Sequence, residues 1–208
     1  MLVGSGGAKW WLEQEALALL TRLNRVRPLA LQETMVSAAA LPPGALVALD
    51  QHLTAGQRGL RARIVAYLAW VRSTAGHSAS PTESQRRLRL LRLYFNKMLT
   101  HMDIFIDAVT QRSEHETGVW LAGLDVLAAD GLTPRSGVSD APPVVCYLDR
   151  GHGAAIRRAR TRLPGGGSNP LALIRVPRER MVGTGVGSSL IHEVGHQAAA
   201  QLHLVPGL

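Results

Sequence analysis

Two histidines, His192 and His196, stand four positions apart near the end of the sequence, and a glutamate, Glu193, directly follows the first. Residues four apart lie one above the other on the same face of a helix. Imidazoles placed that way can hold one tetrahedral zinc ion through their ring nitrogens. Glu193 projects beside such an ion rather than onto it. From there it can accept a proton from an activated water and later hand it to a leaving amine. Activation is needed because free water is a poor nucleophile, and zinc lowers its pKa to about 7. The chemistry predicted by this pattern is metal-assisted hydrolysis.

The elements around the pair must hold it in place. Leu190, Ile191, Val194 and Ala198 predict a helix buried along one side, capped by Ser188 or Ser189 and running to about Leu204. Gly195 lies inside the motif, where glycine costs about 1 kcal/mol relative to alanine. That cost predicts a close approach by another backbone or by a substrate. Upstream, Val144–Leu148 and Leu171–Val176 read as strands, the second stopped by Pro177. Between them, Ala154–Leu163 reads as a basic helical stretch and Pro164–Pro170 as a turn or mobile loop. Val182–Gly187 forms a glycine-rich lead-in to the motif helix.

The segment from about Val144 to Leu204 resembles the core of the zincin metallopeptidases, in which a small sheet packs on the HExxH helix. The resemblance implies Zn²⁺ as cofactor, His192 and His196 as its ligands, Glu193 as general acid/base, and a peptide or protein as substrate. It also implies that Leu171–Val176 is the substrate-binding edge strand, with Leu173, Ile174 and Arg175 against the peptide. The predicted fold class is α+β, mostly helical. A helical domain over residues 1–138 is followed by a zincin-like core over residues 139–208.

The third ligand departs from the known patterns. In the metzincin motif HExxHxxGxxH, the glycine position is Ala199 here and the last histidine position is Leu202. His203 comes one residue late. On a continuous helix it would lie about 10 Å along the axis from His196. A glutamate on a second helix, as in gluzincins, would fall beyond Leu208, since the sequence stops twelve residues after His196. The expected sources are therefore a continuation of the chain, another chain, or an upstream group. Upstream, Asp149 with His152 flank a turn after the first strand. Glu114, His115 and Glu116 stand at a helix start, and His101 and Asp103 lie on a long helix.

The first 130 or so residues read as helices. Leu12, Ala16, Leu19, Leu20 and Leu23 recur at helical spacing, and Pro28 ends that run. Thr54 with Gln57, Thr82 with Gln85, and Ser113 with Glu116 match the capping-box spacing, each ahead of an apolar-periodic run. The third run is expected to close at Gly131 as a left-handed cap. Gly131, Pro134, Gly137, Pro142 and Pro143 then mark a boundary.

Composition adds little about function. The formal net charge is +8, and only Lys9 and Lys97 among the basic residues are lysines. Arg86, Arg87, Arg89 and Arg92 form one basic stripe, read as a solvated face; Arg157, Arg158, Arg160 and Arg162 form another. Cys146 is the single cysteine, so an internal disulfide is excluded; in an apolar strand it is expected to be buried and inert. No secretory signal is recognised at the N-terminus, and no apolar run approaches the ~20 residues of a membrane span. A cytoplasmic protein is the default expectation. Two other functions compete with a peptidase. One is a helical binding or assembly protein with an incidental HExxH. The other is a basic nucleic-acid-associated protein, against which stands the lack of aromatic–basic interleaving.

Overall fold

The computed structural model describes residues 3–26, 36–133, 141–151, 153–178 and 185–204. Helices dominate: α1 (Val3–Arg25), α2 (Pro43–Arg72), α3 (Thr74–Ser78), α4 (Pro81–Thr110), α5 (His115–Leu132) and α6 (Gly185–Gln201). Three strands, β1 (Val144–Asp149), β2 (Ala155–Arg157) and β3 (Ala172–Pro177), form one mixed sheet. The α+β, mostly helical class expected from the sequence is what the chain adopts. No described helix is long and apolar enough to cross a membrane.

Helix starts differ from the capping-box expectations. Helix α2 begins at Pro43, so Thr54 lies well inside it. Helix α4 begins at Pro81, and its cap is Ser80, whose Oγ accepts from the Glu83 amide at 3.2 Å. Proline at the first helical position and glutamate three residues after the serine make this a better start than Thr82 provides. Helix α5 follows a 3-10 turn over Gln111–Ser113 and takes Glu114 as its N-cap, with no side-chain cap. Gly131 lies within α5 rather than capping it, and Thr133 follows the last turn.

The chain divides into two compact units, one of residues 1–28 and 53–102, the other of residues 29–52 and 103–208. Helix α5 shares a core with the sheet of the second unit. In the first unit the buried positions of α1, Leu12, Ala16, Leu19 and Leu23, are the periodic ones read from the sequence. Gln57 of α2 donates to the carbonyls of Leu23 and Val26, satisfying the end of α1. The Arg86–Arg92 stripe is solvent-exposed: Arg86 and Arg87 pair with Glu83 at 3.0 and 2.7 Å, and Arg92 pairs with Glu15.

In the second unit, one core is built from four elements. Leu121, Ala128 and Leu132 of α5 meet Val144, Cys146 and Leu148 of β1, Ala172, Ile174 and Val176 of β3, and Val186, Leu190 and Val194 of α6. The alternation along β1 and β3 follows from the two-residue period of a strand. Strand β1 pairs with β3 in parallel, Cys146 opposite Ile174, and β2 pairs with β3 antiparallel, Ile156 opposite Ile174.

Two expectations change here. The stretch Ala154–Leu163 is not a helix but contains β2 and a series of turns. The side of β3 away from β1 is taken by β2, and Arg160 takes a left-handed backbone at φ 65° that a helix would not hold. The Pro164–Pro170 connection is a defined turn. Gly165, Gly166 and Gly167 all have positive φ, at 74°, 96° and 103°, which only glycine adopts without strain. Buried Asn169 closes it by donating to the carbonyls of Arg157 and Arg158 at 3.2 and 3.0 Å.

Strand order β1-β3-β2 puts β3 in the middle of the sheet. Leu171–Val176 is therefore not an edge strand. Leu173, Ile174 and Arg175 pair with β1 on one side and β2 on the other, so their backbone is not free to bind a peptide. Leu173 and Ile174 are also buried. The edge position beside α6 belongs to β2.

Candidate functional site

Helix α6 is anchored along the side opposite its histidines. Leu190 and Val194 enter the core, and buried Gln197 accepts from the Ala159 amide at 3.0 Å. Gln197 stands seven residues after Leu190 and three after Val194, so it belongs to the same stripe. It fixes the helix to the turn that follows β2. Against α5 the approach is close at Gly131, where a Cβ would stand 3.1 Å from Val194 Cγ1 and 3.4 Å from Ile191 Cδ1. Gly131 thus serves helix packing, where a C-cap was expected. Ile191, expected in the core, is 45% exposed.

With that side fixed, His192 and His196 project outward. Their Nε2 atoms lie 3.2 Å apart, with ring centroids separated by 4.8 Å and planes at 86°. Two nitrogens bound tetrahedrally to one zinc at ~2.0 Å stand about 3.3 Å apart. The observed separation is close to that spacing. Glu193 and His192 line an open cleft of ≈ 410 Å³ together with Ser188, Ser189, Gly153 and Ala154. Ser188 does not cap α6; its Oγ donates to the Gly185 carbonyl at 3.0 Å. Gly195 meets nothing within 4 Å, so no other described backbone closes on it.

Helix α6 does end before His203, but this does not bring the histidine to the pair. His203 has φ 53°, and the Leu204 amide donates to the Ala199 carbonyl at 2.9 Å. With the His203 amide directed at Ala200, this is a Schellman closure in which histidine takes the place usually held by glycine. Among the described residues no third His, Cys, Asp or Glu groups with His192 and His196. Asp149 accepts from the Arg150 amide at 2.7 Å and lies 3.8 Å from Arg175. Glu114 faces Arg178 at 3.6 Å, and His101 is buried in α4. His152 lies outside the described residues.

A buried ion pair supports the sheet beneath this site. Arg112 and Asp125 are within 1% of complete burial, with Arg112 Nη1 2.8 Å from Asp125 Oδ2. Arg112 Nη2 also donates to the Cys146 carbonyl at 2.6 Å, and the Cys146 amide donates to Asp125 Oδ1 at 2.7 Å. The pair thus satisfies both backbone groups of one β1 residue. Burial, outweighing Arg112, holds the Asp125 carboxyl above the usual carboxylate range. Burial and then Asp125 push the Cys146 thiol well up. The sequence carries a signal for Asp125: it falls on the Leu121–Ala128–Leu132 stripe, where a carboxylate needs a buried partner. Arg112 has no comparable signal.

The chain matches no family model, no curated protein and no solved structure.

Proposed function

We propose that this protein is a zinc-dependent peptidase, with His192 and His196 as metal ligands and Glu193 as general acid/base. The observation that carries this reading is the 3.2 Å separation of the two Nε2 atoms on a helix whose Glu193 lines the adjoining cleft. When bound, zinc supplies Lewis acidity and an activated water nucleophile. Glu193 accepts the proton released from the nucleophile and returns it to the amine that departs. The burial of Leu190, Val194 and Gln197 fixes the helix that carries the three side chains, so their backbone positions are set before substrate arrives. A further ligand comes from outside the group formed by the described residues. The zincin-like arrangement belongs to this proposal, with β2 in the edge position.

The deciding experiment compares zinc content and peptide hydrolysis for the wild type and Glu193→Gln. Glutamine matches glutamate in shape but cannot take up and return the proton. The variant is expected to keep its zinc and lose at least about 10²-fold in turnover. Full zinc loading with equal hydrolysis by both proteins would remove Glu193 from the mechanism and leave the metal a structural role.

A further inference from the structure

A second cleft, of ≈ 450 Å³, opens next to the first and is strongly basic. Arg175 alternates with core-facing Ile174 and Val176, so it lies on the other face of the sheet. Its cross-strand neighbours are Tyr147 of β1 and Ala155 of β2. Arg157, Arg158 and Thr161 complete the lining. Three arginines therefore line one concavity. Of the carboxylates near the cleft, Asp149 stands 3.8 Å from Arg175 Nη1 and is itself half exposed, and Asp107 acts on Tyr147. Arg175 Nε is buried without an acceptor among the described residues.

The two clefts share one stretch of chain. Gly153 and Ala154 line the cleft of His192 and Glu193, and Ala155 to Arg158 line the basic one. Among the described residues β2 pairs only with β3, so its outer edge is unpaired. An unpaired edge offers amide and carbonyl groups that an extended peptide can complete by strand addition. The three-residue step from Ala154 to Arg157 covers about 10 Å of extended chain.

We propose that the cleft of Arg157, Arg158, Arg175 and Tyr147 binds a carboxylate side chain of an extended acidic peptide laid along β2, about three residues from the bond presented to His192 and Glu193. Arginine suits this task because its planar donors can grip a carboxylate with two hydrogen bonds. Only a peptide can also pair with the strand edge. Single-stranded nucleic acid would need a row of aromatic rings for its bases, and the cleft offers Tyr147 alone. The inference rests on the peptidase reading for the fate of the bound peptide, while binding itself is measured without turnover.

The test uses the full chain carrying Glu193→Gln and a fluorescein-labelled octapeptide with two adjacent glutamates, next to its glutamine counterpart. Fluorescence anisotropy is expected to show the glutamate peptide binding at least about tenfold more tightly, equivalent to 1.4 kcal/mol. Adding Arg157→Ser and Arg158→Ser, both at exposed or half-exposed positions, is expected to reduce that preference below about threefold, with the thermal unfolding midpoint unchanged. The conservative Arg157→Lys is expected to restore part of it. Equal affinity for the two peptides, or a preference that survives the double substitution, would overturn the proposal. So would displacement of the glutamate peptide by a short single-stranded oligodeoxynucleotide at matched concentration and salt. If preference is lost in the arginine variants while the wild type hydrolyses nothing, the cleft stands and the peptidase reading falls. Hydrolysis indifferent to acidic residues would give the reverse result.

Discussion

His192 and His196 turn their Nε2 atoms to within 3.2 Å of each other, one helical turn apart on the exposed side of α6. Two neutral imidazoles can share one hydrogen bond at that distance, and two deprotonated nitrogens can share one metal ion. The first use is a local contact. The second makes the pair the foundation of a site, and it gives the alternatives different consequences when one ring is removed.

On the metal reading, His192→Ala and His196→Ala each remove a direct ligand. Loss of a group that merely orients a ligand typically costs 10–100-fold in metal affinity, so the loss here should exceed about 100-fold. Zinc titration by calorimetry and elemental analysis of the purified proteins check this. Unchanged zinc in His196→Ala would place the metal elsewhere.

His203→Gly separates a capping residue from a ligand. A left-handed backbone costs a non-glycine residue about 1–2 kcal/mol, part of which glycine gives back as its own entropy cost. With φ at 53° in the Schellman closure, the substitution is expected to raise stability by up to about 1 kcal/mol and to leave zinc affinity unchanged. A fall in zinc content would make His203 a ligand.

Gly195→Ala tests why a glycine lies between the two histidines. Nothing stands within 4 Å of the added methyl, so the helix should gain up to about 1 kcal/mol in urea or thermal unfolding. Zinc binding is expected to persist. If the glycine leaves room for substrate, KM for peptide hydrolysis rises while kcat changes little.

The Arg112–Asp125 pair predicts a large and coupled stability effect. Asp125→Ala leaves a buried guanidinium without its counter-charge and the Cys146 amide without an acceptor, and should cost about 3–5 kcal/mol near neutral pH. Adding Arg112→Met should cost less than the sum of the separate changes, with a coupling of about 1–3 kcal/mol. The pH dependence has a definite sign. The folded pKa of Asp125 is raised above the unfolded value, so its contribution is fully present below the unfolded pKa and is lost as pH rises through the folded one. Wild type should therefore lose stability relative to Asp125→Asn as pH rises from below the unfolded carboxylate pKa through the raised folded one, measured by denaturant unfolding at each pH.

Local pattern was enough for much of this chain. The three-to-four-residue recurrence of Leu12, Ala16, Leu19 and Leu23 determined a helix and its buried side, because helix geometry repeats within a few residues. The same geometry determined that His192, Glu193 and His196 would share a helix, with both imidazoles on one side. The apolar runs at Val144–Leu148 and Leu171–Val176 determined two strands, since each is short and rich in branched residues. What the pattern could not determine was strand order. Leu171–Val176 is equally apolar at an edge or in the middle, and it became central only because Ala155–Arg157 folded back to pair with it. That pairing lies across the turn held by Asn169, and it converted a basic stretch with helical spacing into the edge strand beside α6. The ion pair of Arg112 with Asp125 and the bond from Ala159 to Gln197 join residues 13 and 38 positions apart. Partners at such separations leave no local period in the sequence. They meet only when burial removes water from them and makes an unpaired charge or amide costly, and that is settled by the packing of the whole second unit.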